Sequence, residues 1–383
     1  MTRAACGEIK PFIVMEVLER ALELERQGRS IIHMEIGEPD FDTPAAVIEA
    51  AKRSLDNGDT HYTDSRGIPE LRDAVARWYN GRYGCDVTPS QVLVTMGVSP
   101  ALLLVLSCMV DGPDDEVILG NPCYPCYPNF INYLGGTPRF IATREEDGFQ
   151  LRPQDVRAAI GPGTKAIMIN SPANPMGTLI APGDLEEICG LGLPVISDEI
   201  YHGLVYGEKE HSALEFTKDA WVLNGFSKLF AMTGWRLGYV IMPEDRIRRM
   251  QILQQNFFIS PSSFVQKAAV TALDTEHPEI PEMIEKYNRR RRYLLERLPS
   301  LGLEYAVEPK GAFYIFVRTD HIDPDSFRLA FDILEKAGVA LTPGIDFGER
   351  GEGHLRISYA NSLENIKEGM DRLEMYLEER GQG

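Results

Sequence analysis

The chain has 383 residues, 44% of them hydrophobic, which is enough to bury a large core and to form two or more domains. A formal net charge of −18 argues against nucleic acid or an anionic membrane surface as the main partner. No apolar run is long enough to span a bilayer, residues 1–6 lead into no apolar signal core, and the six cysteines form no even framework, so a reduced cytoplasmic setting is expected.

Residues 8–30 read as an arm and a helix, with Phe12, Val14, Val17, Leu18, Ala21 and Leu24 on one apolar face. A short strand over 31–36 breaks at Gly37 and Pro39, where glycine lets backbone approach a ligand or simply makes a turn. Thr43 and Pro44 read as N-cap and first position of the next helix. Tyr62 stands in a turn before the helical pattern that follows Pro69. Short apolar strands then recur at 92–95, 116–119, 166–169, 194–197, 221–223 and 238–242, most of them separated by helical patterns. This predicts an α/β fold with a mostly parallel sheet covered on both faces. Open sheets of this kind bind ligands outside the carboxyl ends of their strands, so the turns there are where chemistry is expected.

After the first strand, Gly97-Val98-Ser99 opens a helix whose free N–H groups suit a phosphate, or merely start the helix. The second is followed by a turn holding Tyr124, a core or stacking aromatic. Cys123 and Cys126 in that turn are spaced C-x-x-C, but with no second pair and no nearby His no metal site is expected. The third leads into a rigid turn from Asn170 to Gly177, with two prolines and Asn174. The fourth ends at Asp198-Glu199, a pair costly to desolvate unless matched by charge, or a helix N-cap. The fifth runs into Lys228, a lone lysine among Phe226, Leu229, Phe230 and Met232. Desolvation disfavours its ammonium form, as Schiff-base chemistry requires, although a snorkelling lysine is the alternative. Arg236, eight residues on, could hold an anion. Residues 245–300 read as helical, broken at 254–261, with the arginines at 289–292 as a solvated helix face. The remainder alternates strands at 312–317, 339–343 and 354–359 with helices at 326–337 and 363–379. Arg356 on the last strand is either exposed or a bidentate clamp for a carboxylate.

The stretch S-K-x-F-A-M-T-G-W-R-x-G at 227–238 closely resembles the lysine signature of the class I/II pyridoxal-phosphate aminotransferases, the aspartate-aminotransferase fold type (fold type I). E-x-G-E-P-D-F at 35–41, the aromatic turn at 122–127, the Asn-Pro turn at 170–177, D-E-x-Y at 198–201 and the arginine strand at 354–360 follow in the family's order. The resemblance implies a seven-stranded-type sheet in a large cofactor domain at 44–285. It also implies a smaller α+β domain made of 1–43 with 286–383. Pyridoxal 5'-phosphate would be carried on Lys228 as a Schiff base. Asp198 would pair with its protonated ring nitrogen, Asn174 and Tyr201 with its phenolic oxygen, and Tyr124 with its ring face. The N–H groups of Val98 and Ser99, with Ser227, Arg236 and a Tyr62 reaching across a homodimer interface, would hold the phosphate. Gly37, Asn174 and Arg356 would meet the substrate, with Arg356 on the α-carboxylate. The implied reaction moves an amino group between an L-amino acid and a 2-oxo acid, with Lys228, Asp198 and Tyr201 catalytic. A lyase, splitting carbon–sulfur bonds or decarboxylating, on the same fold is the alternative. Two departures stand out. Gly225 replaces a hydroxyl residue common in the family, for which Ser227 can substitute. Ser99 replaces a lysine of one aspartate-specific subgroup, so strict aspartate specificity is not expected, and Phe257 and Phe258 leave apolar substrates open.

Overall fold

The computed structural model describes residues 9–381, so residues 1–6, with Cys6, lie outside it. Helix α1 (Ile13–Arg26) buries Val14, Val17, Ala21 and Leu24 of the stripe read from the sequence, while Leu18 is half-buried and Phe12 stands just before the helix. It is followed by β1 (Ile32–His33), α2 (Ala45–Asp56), α3 (Pro69–Tyr83), β2 (Val92–Thr95), α4 (Val98–Ser107), β3 (Glu116–Asn121) and α5 (Cys126–Tyr133). Next come β4 (Thr137–Ala142), β5 (Thr164–Asn170), β6 (Val195–Asp198), β7 (Ala220–Gly225) and β8 (Gly238–Ile241).

Seven of these strands form one sheet in the order β2-β8-β7-β6-β5-β3-β4. From β7 to β4 every pairing is parallel, and β8 alone runs antiparallel to both neighbours. Residues of successive strands alternate between two cores. Ile118, Ile167, Val195, Val222 and Ile241 enter one, while Leu119, Met168, Ile196, Leu223 and Val240 enter the other. Each such side chain contributes about 1.5–3 kcal/mol on leaving water. Two-sided burial explains why these strands are continuously apolar. β4 could not be read from the sequence because, unlike the buried edge strand β2, it is an exposed edge strand, with Arg139 and Phe140 exposed and Pro138 tolerated where no second ladder needs its N–H.

The C-terminal part carries β9 (Tyr314–Arg318), β10 (Val339–Ala340), β11 (Thr342–Pro343) and β12 (His354–Ser358). The strand expected at 339–343 is thus two short ones in different sheets. β10 pairs with β1 in parallel, while β11, β12 and β9 form an antiparallel sheet. Two further expectations are corrected. Helix α2 begins at Ala45, and Thr43 is not its cap, because the Thr43 hydroxyl donates to the Ala231 carbonyl (2.8 Å) and accepts Trp235 Nε1 (3.0 Å). It braces the loop that carries Lys228. The arginine run is not one solvated face, since four consecutive residues go round a helix. Arg290 turns inward to Asp40 (2.7 and 2.8 Å) and Arg291 to Glu308 (2.9 Å), leaving Arg289 and Arg292 exposed. Among the described residues no helix is long and apolar enough to cross a membrane, and no cluster of three or more His, Cys, Asp or Glu could hold a metal.

Candidate active site

The carboxyl ends of β5, β6 and β7 and the start of α4 surround a cavity of about 290 Å³. At its centre stands Lys228, three residues beyond the end of β7. Its Nζ donates to the Gly37 carbonyl at 2.6 Å and lies 5.9 Å from the ring centres of Tyr201 and Phe313. Burial pushes the ammonium down to about 8, with Arg356 and Arg236 adding to the effect and Glu38 and Asp198 opposing it. The apolar neighbours read from the sequence, Phe226, Leu229, Phe230 and Met232, are buried in the core and do not line the cavity; the rings beside the amine are those of Tyr201 and Phe313. Gly37 also makes room for Tyr314, because a Cβ there would sit 2.0 Å from the Tyr314 hydroxyl.

Asp198 closes β6 and is buried. One carboxylate oxygen accepts the Ile200 N–H (3.2 Å) and the other the Tyr127 hydroxyl (2.6 Å). Burial raises the carboxyl to about 6, against these bonds and the charge of Lys228. Asn170, at the end of β5, donates to the Asp198 carbonyl (2.9 Å) and accepts the Asn174 N–H (2.8 Å), fastening the two strand ends together. The acidic pair divides here. Glu199 faces away from the cavity into its own network with Ser197, Ser212, Ala213 and Tyr79, and burial pushes it up to about 8.

Across the cavity is an anion cradle. Gly97, at φ +101°, lets the chain turn straight into α4, whose first-turn N–H groups at Val98 and Ser99 have no acceptor within the helix. The Arg236 guanidinium lies against it, since a Cβ on Gly97 would be 2.9 Å from its Nη2. Ser227 lines the same end. Gly225 cannot take the larger residue common in the family without strain, because a Cβ would meet Gly238 Cα and the Leu237 carbonyl at 3.0 Å.

The opposite end belongs to Arg356, which is 3% exposed. It donates to Asn174 Oδ1 (2.9 Å), to Thr342 Oγ1 (3.0 Å) and to the Glu35 carbonyl, and it lies 4.4 Å from the centre of the Tyr314 ring. Its Nε is buried without a hydrogen-bond partner, an orphan donor that costs stability unless an anion takes it. Asn174 gives its oxygen to Arg356, which leaves its amide N–H groups for the cavity. The Tyr201 hydroxyl meets that of Tyr314 at 2.7 Å. Tyr124 lines the wall and packs edge-on against Phe12 (5.8 Å between centres) and Tyr127 (5.3 Å).

Of the residues singled out in the sequence, this cavity gathers Gly37, Val98, Ser99, Tyr124, Asn174, Asp198, Tyr201, Ser227, Lys228, Arg236 and Arg356. It does not include Tyr62, which is 80% exposed, nor Phe257 and Phe258. Sequence analysis missed Tyr127, Tyr314, Phe12 and Met15, which also line it. Tyr127 is the second aromatic of the turn whose first is Tyr124, and that repeat was the available signal. Tyr314 was hidden in an apolar strand. Cys123 and Cys126 are free thiols that burial pushes up, Cys123 to about 12, which disfavours the reactive thiolate.

A desolvated amine facing two guanidiniums suits carbonyl chemistry on anionic molecules. Fold and cavity therefore present an α/β protein with a desolvated lysine amine at the carboxyl ends of its strands, the kind of group such chemistry uses. A model of the family "Aminotransferase class I and II" matches residues 29–373. The chain is 44% identical over 371 residues to the (5-formylfuran-3-yl)methyl phosphate transaminase of Methanocaldococcus jannaschii, covering 96% of each chain. It is 41% identical over 372 residues to the aspartate/prephenate aminotransferase of Thermus thermophilus, covering 95% of each. A solved structure of Thermus thermophilus aspartate aminotransferase with maleate superposes with a TM-score of 0.93 at 39% identity, covering 97% of this chain and 98% of that one. The chain belongs to the aminotransferase class I and II family, whose enzymes depend on pyridoxal phosphate. It is an aminotransferase of fold type I.

Proposed function

We propose that the cavity moves an amino group between an L-amino acid and a 2-oxo acid, with Lys228 carrying the proton. The observation that carries this reading is the Lys228 amine, held near neutral pKa in one cavity with Asp198 and Arg356. The residues fit pyridoxal phosphate. The free N–H groups of α4 with Arg236 suit a phosphate, and Asp198, only partly compensated, suits a protonated ring nitrogen. When bound, the cofactor supplies a reactive carbonyl and an electron sink. Val98, Ser99, Ser227 and Arg236 would hold its phosphate, Tyr124 its ring face, and Asn174 and Tyr201 its phenolic oxygen. The fork of Arg356, with its orphan Nε, seats the substrate carboxylate and fixes the Cα–H bond before Lys228 Nζ. Lys228 then takes and returns that proton as general base and acid.

The relatives named for aspartate, prephenate and a furan phosphate handle anionic substrates, which supports an anionic handle on this chain's substrate at Arg356. Supplying purified, cofactor-loaded protein with single amino acids and no oxo acid tests the reaction. One equivalent of 2-oxo acid per site, and then arrest, is expected. Continuous release of pyruvate and ammonia, or of an amine, would instead identify a lyase or decarboxylase.

We also infer a homodimer. Tyr62, Phe257 (59% exposed) and Ile259 (48%) form an apolar surface whose segments are tied by a Thr63 N–H to Ser260 hydrogen bond (3.3 Å), and a second copy would cover it. Tyr62 would then reach the neighbouring phosphate cradle. Sedimentation should give twice 42.9 kDa. Tyr62→Phe should loosen the cofactor about three- to tenfold, the size of one hydrogen bond, without changing Tm. A monomer with undiminished cofactor affinity overturns this.

A further inference from the structure

The second aromatic of the Tyr124 turn is Tyr127. Tyr127 lies in the first turn of α5, is 3% exposed, and has the Asp198 carboxylate as the acceptor of its hydroxyl at 2.6 Å. This distance is that of a charge-assisted O–H···O⁻ bond. The other carboxylate oxygen is fixed separately by the Ile200 N–H, so the two bonds together set the plane of the carboxylate. Tyr127 also packs edge-on against Tyr124, the ring proposed to lie on the cofactor face. Helix α5 and the turn before it would thus support the cofactor ring from its nitrogen end and from its face.

We propose that Tyr127 is a positioning residue, whose hydroxyl orients the Asp198 carboxylate and keeps it charged toward the cofactor's ring nitrogen. The proposal rests on the reading of Asp198 given above. The titratable groups facing Asp198 are Tyr127 and Tyr124 from α5 and the turn before it, and Lys228 from the loop after β7. Burial holds the Tyr127 phenol well above its ordinary value, so it remains a donor throughout the working pH range. Its hydrogen bond lowers the Asp198 carboxyl, which nevertheless stands near 6. Without it the carboxyl takes up its proton at higher pH, and less of the charge that pairs with the ring nitrogen survives at neutrality.

Tyr127→Phe removes one oxygen and keeps the ring, so the fold should survive. Cofactor binding to the cofactor-free protein, followed by absorbance from pH 5 to 8, is the readout. We expect affinity at pH 7 to fall about tenfold, the worth of one hydrogen bond to a charged group. We also expect the pH midpoint at which binding is lost on acidification to move upward. A merely structural tyrosine would lower Tm and leave that midpoint in place, which overturns the proposal. In an Asp198→Asn background, Tyr127→Phe should add less than about twofold, because its partner is already neutral. A full tenfold effect there would show that Tyr127 acts elsewhere and would overturn the proposal. Unchanged cofactor affinity in Asp198→Asn alone would instead overturn the reading of Asp198 itself, and the two failures are told apart by which single variant is silent.

Discussion

Lys228→Ala should lower kcat at least about a thousandfold while the protein stays folded. A positioned general base contributes about 10²–10⁴ on its own, and the same amine is the group proposed to take the cofactor. Its burial makes it suitable. With its pKa near 8, roughly a tenth of it is free base at pH 7, where an ordinary lysine would offer less than about a thousandth. The truncation removes a desolvated cation and leaves the Gly37 carbonyl without its donor. The first change stabilises and the second costs about 1–3 kcal/mol, so Tm should move little. Steady-state rates with the circular-dichroism melt check both halves. Undiminished turnover would refute the role of Lys228.

Arg356→Gln should lower kcat/KM for the amino donor by about 10²–10⁴. Hydrogen bonds to a charged group are worth about 1.5–3 kcal/mol each, and the guanidinium fork makes two with one carboxylate. Arg356→Lys should recover only part, because the ammonium is a point charge without the fork. Arg356 is also bound to Asn174, Thr342 and the Glu35 carbonyl, so both variants should be less stable. A second readout separates the effects. Arg356 depresses the Lys228 amine, so its removal should move the pH at which Lys228 loses its proton upward. A kcat/KM within threefold of the parent would place the substrate carboxylate elsewhere.

Much of this was legible because the sheet and the site obey different local rules. Strands buried on both faces are continuously apolar, and the six read from the sequence lie within three residues of those observed at either end. The chemistry then follows at their carboxyl ends, where Gly, Pro, Asn and Asp mark the turns. β4 was illegible for the converse reason, since an exposed edge strand carries no such pattern. Tyr127 and Tyr314 escaped because an aromatic in an apolar helix or strand has the same sequence signature whether it fills a core or lines a cavity. Only the hydroxyl's partner distinguishes the two, Asp198 for one and Tyr201 for the other. The arginine run misled because charge was weighed without the helix's turn, which sends Arg290 and Arg291 inward.

The most direct test is to load the protein with pyridoxal phosphate, reduce it with borohydride, digest it and weigh the peptides. A single pyridoxyl group is expected, on the peptide that contains Lys228. A pyridoxyl group on another lysine, or on none, would contradict the role of Lys228.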